Sequence, residues 1–91
     1  MAEKLTENEI NERLKKVPGW VRQGDEISRL YTHAGFTAAI AFVNHVAELA
    51  EQMDHHPDIL IQYKKVTLTL STHSAGGLTD LDFILAQKID A

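Results

Sequence analysis

The sequence predicts an α+β domain in the order α-β-β-α-β-β-α, with a four-stranded antiparallel sheet and helices packed on one face. Three observations carry that expectation. Val66-Thr67-Leu68-Thr69-Leu70-Ser71 alternates apolar and hydroxyl residues without a fault, the period of a half-buried strand. Residues 36–54 carry apolar side chains at helical spacing over roughly five turns. Two pairs of extended runs flank that segment, each joined by a short polar turn, and two hairpins linked by a helix close into one antiparallel sheet.

The elements follow in order. Thr6 followed by Glu9 fits a capping box, and Ile10, Leu14 and Val17 then recur at helical spacing. Pro18-Gly19 stops that helix. Trp20 and Val21 begin a short extended run, Gln23-Gly24-Asp25-Glu26 reads as a turn, and Ile27 to Thr32 is the partner strand.

Gly35-Phe36-Thr37 opens the longest helix. Phe36, Ala39, Ile40, Val43, Val46, Ala47, Ala50 and Met53 form one broad apolar face, and Asn44, His45, Glu48, Glu51 and Gln52 form a polar stripe. Ala38, Phe42 and Leu49 widen the apolar surface beyond what one-sided packing needs. Deep burial in the monomer and a second face for self-association both account for it.

Pro57 disfavours α geometry at His56, so the helix ends at or before that residue. Asp58 to Tyr63 is a short apolar strand that turns near Lys64 into the alternating strand. Ser74-Ala75-Gly76-Gly77 reads as a flexible connection. Thr79 caps a final helix with Leu81, Ile84, Leu85 and Ile89 inward, and Asp82 stands where a capping acid belongs.

With 91 residues and no linker or internal repeat, the chain is a single domain, 1–91. Such a chain buries only roughly 60–65% of its unfolded surface, so self-association would add to a marginal core. A net charge of −4 and no basic run longer than two residues argue against direct nucleic-acid binding. With no cysteine, disulfides, zinc ribbons and thiol nucleophiles are excluded, which fits a reducing, cytoplasmic setting. No apolar run is long enough for a signal peptide or a membrane span.

Function concentrates in Asp54-His55-His56-Pro57-Asp58, with His73 at the end of the alternating strand. A histidine at a helix C-terminus is accounted for by capping the free carbonyls and meeting the negative end of the helix dipole. As metal ligands, His55, His56 and His73 with Asp54 or Asp58 would supply three or four donors. Adjacent residues rarely both reach one ion, however, and no H-x-H or H-x3-H spacing is present. In acid–base work, imidazole exchanges protons near neutrality, and Glu51, four residues before His55, would lie beside it on one helical turn. His33 and His45 read as surface residues. Gly76-Gly77 lacks the context of a phosphate-binding loop.

Glu51-x3-His55-His56-Pro57, Tyr63, His73 after nine intervening residues, and Asp82 together resemble the signature of the pterin-4a-carbinolamine dehydratases. Gly19-Trp20, Phe36-x2-Ala39-x2-Phe42, Val66 through His73 and Gly77-Leu78 extend the resemblance over nearly the whole chain. The resemblance implies the same α+β fold, sheets paired across a homodimer, and homotetramers formed through helices. It implies dehydration of the 4a-hydroxytetrahydropterin left by aromatic amino acid hydroxylases to quinonoid dihydropterin and water, with neither metal nor organic cofactor.

By match of position, the resemblance implies that His55 and His73 are acid–base groups, with His56 mainly binding substrate beside them. Glu51 would bind or polarise the pterin or tune His55, and Asp82 would support the histidines from behind. Asp54, Ser71, Thr72 and Trp20 would complete the pterin site, with backbone groups around Ser71 to His73 on the flat pterin edge and Trp20 lining the pocket. Ile59 departs from the family pattern, where tryptophan is frequent. Related animal proteins also serve as dimerisation cofactors of a homeodomain transcription factor, and a pterin- or molybdopterin-related binding role on the same fold is a further alternative.

Overall fold

A computed structural model of the chain describes residues 2–91. The elements are α1 (Glu7–Leu14), β1 (Val21–Gln23), β2 (Glu26–Thr32), α2 (Phe36–Met53), β3 (Asp58–Gln62), β4 (Lys65–Leu70), a 3-10 turn (His73–Ala75) and α3 (Asp80–Asp90). The predicted order is the observed one. The sheet is antiparallel throughout in the order β1-β2-β4-β3, so both hairpins meet along their second strands.

Register decides which side chains face the helices. Ile27 pairs with Leu70, Arg29 with Leu68 and Tyr31 with Val66, and across the other border Ile59 pairs with Leu68 and Ile61 with Val66. Ile27, Val66, Leu68 and Leu70 are fully buried, which fixes this as the inner face. The opposite face carries Ser28, Leu30, Thr67 and Thr69 by the period-two rule and is open. Leu30 and Leu60 flank Thr67 there, and both are exposed.

The two capping boxes form as the sequence suggests. Thr6 Oγ1 accepts the Glu9 N–H at 3.3 Å while Glu9 returns an acceptor to the Thr6 N–H at 2.9 Å. At α3, Thr79 and Asp82 do the same.

Three expectations need correction. Along α2 only Ala39, Val46 and Ala50 are buried, and Phe36 is exposed, so deep burial does not account for the width of its apolar surface. A single sheet face, shared with α3, cannot cover a face that wide. In α3, Leu85 and Ile89 are inward, but Ile84 is exposed and Leu81 half-buried; Asp82, Phe83 and Ala86 are the buried companions. Residues 74–77 form a closed loop rather than a loose connection. Thr72 and Gly77 exchange backbone hydrogen bonds at 3.1 and 3.3 Å, and Gly76 supplies the left-handed conformation (φ 76°) that lets the chain return.

The end of α2 positions the site. Asp54 adopts a left-handed conformation (φ 49°, ψ 44°), which aspartate tolerates better than most residues, and the His55 N–H returns to the Ala50 carbonyl at 3.0 Å. Pro57 follows, so the chain leaves the helix axis within three residues. Among the described residues no helix is long and apolar enough to cross a membrane.

Candidate active site

The αL turn at Asp54 swings His55 off the helical path and down toward α3. Its Nε2 lies 2.6 Å from Asp82 Oδ1, with His55 8% and Asp82 0% exposed. Asp82 is held from its other side as well. Oδ2 accepts the Thr72 hydroxyl at 2.9 Å and the Thr79 backbone N–H at 3.0 Å. Thr72 Oγ1 is in turn 2.8 Å from Thr79 Oγ1. A carboxylate has only acceptors to offer, so as long as Asp82 carries no proton the imidazole proton of the pair sits on Nε2. Among the described side-chain atoms, only His33 Nε2 is both buried and unpartnered, so the second nitrogen of His55, Nδ1, reaches solvent. His55 thus has one nitrogen anchored and one free, the arrangement that orients an imidazole for proton transfer.

Glu51 is not where the helical spacing predicts. Its Oε2 lies 2.5 Å from His56 Nε2 rather than beside His55, and both residues are exposed. The physical reason is the left-handed Asp54, which ends the i,i+4 geometry one residue before His55. His56 therefore keeps a surface carboxylate partner, while His55 takes the buried one. His73 is exposed and opens the 3-10 turn, one residue beyond Thr72 and so beside the network that holds His55. Asp54 is exposed at the helix cap.

Ser71 and Thr72 have committed hydroxyls. Ser71 Oγ donates to the Asp25 carbonyl at 2.7 Å, tying the first hairpin to the loop that carries His73. The Thr72 hydroxyl is buried on Asp82, which leaves the backbone of this stretch, not its side chains, to meet a ligand.

Trp20 is not brought to the histidines. It is 4% exposed, and its Nε1 donates to Asp90 Oδ2 at 2.9 Å. Asp90 is eight residues beyond Asp82, about 12 Å along the helix. There it also accepts from Tyr31 and, at 3.0 Å, from Arg29. Burial, and then the hydrogen bond to Asp90, pushes the Tyr31 phenol well above its ordinary range.

His33 is likewise corrected: its ring stacks on Phe42 with centroids 4.7 Å apart, and it is half-buried rather than a surface residue. His45 is exposed, as the polar stripe suggested. Among the described residues no group of three or more His, Cys, Asp and Glu side chains is placed to hold a metal ion. A cleft of about 320 Å³ beside Arg13, Lys16, Phe83 and Ile84 lies between α1 and α3. It uses the side of α3 turned away from Asp82.

Sequence reasoning underrated two residues. Thr79 was legible only as a cap and Thr72 only as a backbone contact of the pterin site, and neither as a buried hydroxyl in the Asp82 network. The T-x-x-D pattern at 79–82 was the available signal, because a capping acid that is also fully buried needs a further partner.

Fold and geometry define a class: a small α+β domain with an imidazole anchored on a buried carboxylate and two further imidazoles on neighbouring segments. The chain belongs to the family described as pterin 4 alpha carbinolamine dehydratase, whose family model matches residues 3–91. A Roseiflexus sp. (strain RS-1) protein, provisionally named a pterin-4-alpha-carbinolamine dehydratase, is 56% identical over 90 residues, covering 99% of this chain and 97% of its own. A Sulfurisphaera tokodaii protein of the same provisional name is 49% identical over 87 residues, covering 96% and 94%. Among solved structures, a Brucella melitensis protein described as a transcriptional coactivator/pterin dehydratase superposes with a TM-score of 0.90 at 39% identity, covering 97% of this chain and 96% of its own. A pterin dehydratase-like protein described as a RuBisCO assembly factor in the alpha-carboxysome shares the fold at a TM-score of 0.67 and 23% identity, covering 79% and 86%.

Proposed function

We propose that this protein dehydrates a 4a-hydroxytetrahydropterin to the quinonoid dihydropterin and water, in support of tetrahydrobiopterin recycling. The observation that carries this reading is the His55–Asp82 contact of 2.6 Å, which leaves His55 Nδ1 as the outward nitrogen. Elimination needs two proton movements. A proton goes to the 4a-oxygen, the C4a–O bond breaks with its electron pair leaving on water, and the proton on the adjacent ring nitrogen is removed as its electrons form the C=N bond.

In this reading His55 Nδ1 takes the nitrogen-bound proton and His73, free and exposed, delivers the other. His56, paired with Glu51, contributes hydrogen bonds to the substrate. Backbone groups of Ser71 to His73 meet the flat pterin edge. Each positioned acid–base group contributes typically ~10²–10⁴ in rate. The test is the decay of the 4a-carbinolamine absorbance with and without protein. Acceleration proportional to protein concentration is expected, and an unchanged decay contradicts the reading.

The reading includes a cytoplasmic homodimer or homotetramer without direct nucleic-acid contact. Edge strand β3 supports self-association: Ile59, Leu60 and Ile61 are 37%, 53% and 37% exposed beside an unpaired backbone edge. A second reading is a binding protein that joins a transcriptional partner. The coactivator description of the Brucella neighbour and the exposed Phe36 at the start of α2 favour it. Turnover of the carbinolamine by the isolated protein supports the first reading, and a folded protein without turnover leaves the second.

A further inference from the structure

Four hydrogen bonds around Asp82 run in one direction only. The Leu81 backbone N–H donates to Thr79 Oγ1 at 3.3 Å, and a backbone N–H cannot accept. At the far end, Asp82 Oδ2 accepts the Thr72 hydroxyl at 2.9 Å, which uses the only proton Thr72 has. The 2.8 Å contact between the two threonines is open in either sense when taken alone. With the Thr72 proton committed, Thr79 must be the donor. The chain therefore reads Leu81 N–H to Thr79, Thr79 O–H to Thr72, Thr72 O–H to Asp82 Oδ2, with the Thr79 backbone N–H joining at the same oxygen.

Two donors on Oδ2 fill its acceptor positions and leave no room for a proton there. The proton on the Oδ1 side then belongs to His55 Nε2, and Nδ1 is left with a bare lone pair pointing out. All four side chains are at most 8% exposed, so water does not compete for these bonds. We infer that Thr72 and Thr79 are positioning residues, whose one-way hydroxyl relay sets the tautomer of His55 and makes its outward nitrogen the proton acceptor. That assignment rests on the proposed dehydration only for its catalytic consequence. The relay itself is a property of the ligand-free protein.

The experiment is nitrogen-15 NMR of the histidine rings in the full-length, ligand-free protein, alongside steady-state turnover. In wild type, His55 is expected to carry its proton on Nε2 with Nδ1 bare in the neutral ring. Thr72→Val keeps the shape but removes the donor, and should show a measurable fraction of the Nδ1–H tautomer. The same variant should lower kcat about tenfold or more, up to the ~10²–10⁴ that a positioned acid–base group supplies, with KM little changed. Thr72→Ser restores the hydroxyl and should restore both readouts. A wild-type His55 with its proton on Nδ1 overturns the relay, even where Thr72→Val fails to fold. So does a folded Thr72→Val with an unchanged His55 tautomer. The expected tautomer in a protein that does not turn over the carbinolamine removes the dehydration reading and leaves the relay standing.

Discussion

His55 and Asp82 meet at 2.6 Å across 27 residues of sequence, one on the residue that leaves α2 and the other in the first turn of α3. The contact joins the two helices that cover the sheet, so one bond orients an imidazole and helps dock α3. Asp82→Asn tests its chemical part. The amide keeps the size of the side chain but replaces one acceptor oxygen with a donor, which forces the wrong face toward His55 Nε2 or toward Thr72. Turnover is expected to fall ~10²-fold or more, the range of a misdirected acid–base group, with the circular dichroism of a folded protein retained.

The Glu51–His56 pair is the exposed counterpart and should behave differently. Both side chains are more than half exposed, and surface ion pairs are worth about 0–1 kcal/mol. Glu51→Gln is therefore expected to leave the urea midpoint nearly unchanged. Its effect should appear in KM for the pterin more than in kcat.

Thr79→Ala removes the cap of α3 and one link of the buried network together. Loss of an N-cap costs about 0.5–2 kcal/mol, and an unsatisfied buried partner adds about 1–3 kcal/mol. A destabilisation near the top of the combined range, read by urea unfolding, is expected. Thr6→Ala, the equivalent change at the exposed cap of α1, should cost only the first of these.

Tyr31 gives a pH dependence far from the histidines. Burial and Asp90 raise the folded-state value of its phenol above the ordinary 10.0, so the folded protein holds that proton more tightly than the unfolded chain. The stabilising contribution is full below about pH 10 and is lost as pH rises from there through the folded value. Wild type should lose stability above about pH 10 more steeply than Tyr31→Phe, which lacks the group. Parallel curves for the two proteins in that window would show that Tyr31 does not contribute.

The edge strand yields a prediction about association. Leu60 is exposed at the open border of the sheet, opposite Thr67. Leu60→Lys places a charge on that border and should shift sedimentation toward monomer at micromolar concentration, with the fold retained.

Much of the fold could be read from local chemistry. Thr6 with Glu9 and Thr79 with Asp82 announced both helix starts, and the Val66–Ser71 alternation marked the inner face of β4. What escaped depended on single backbone conformations or on distant neighbours. Nothing local says that Asp54 turns left-handed, yet that turn reassigns Glu51 from His55 to His56. Nothing in the sequence around Trp20 says that it is paired with Asp90 at the far end of α3 instead of reaching the histidines. Ile84 read as inward and Phe36 as part of one broad apolar face because they are apolar at helical spacing, but a helix with a wide apolar face cannot turn all of it to one sheet. The His55–His56–Pro57 stretch was visible as a cluster. Which histidine takes which carboxylate was settled by the turn before it.

The central claim is that His55, oriented by Asp82, moves a proton in the dehydration of a pterin 4a-carbinolamine. Its most direct measurement is turnover of that substrate by wild type and His55→Ala side by side, with both proteins shown to be folded by circular dichroism. Catalysis by wild type and a loss of ~10²-fold or more in the variant is the predicted result. Equal turnover by the two folded proteins would contradict it.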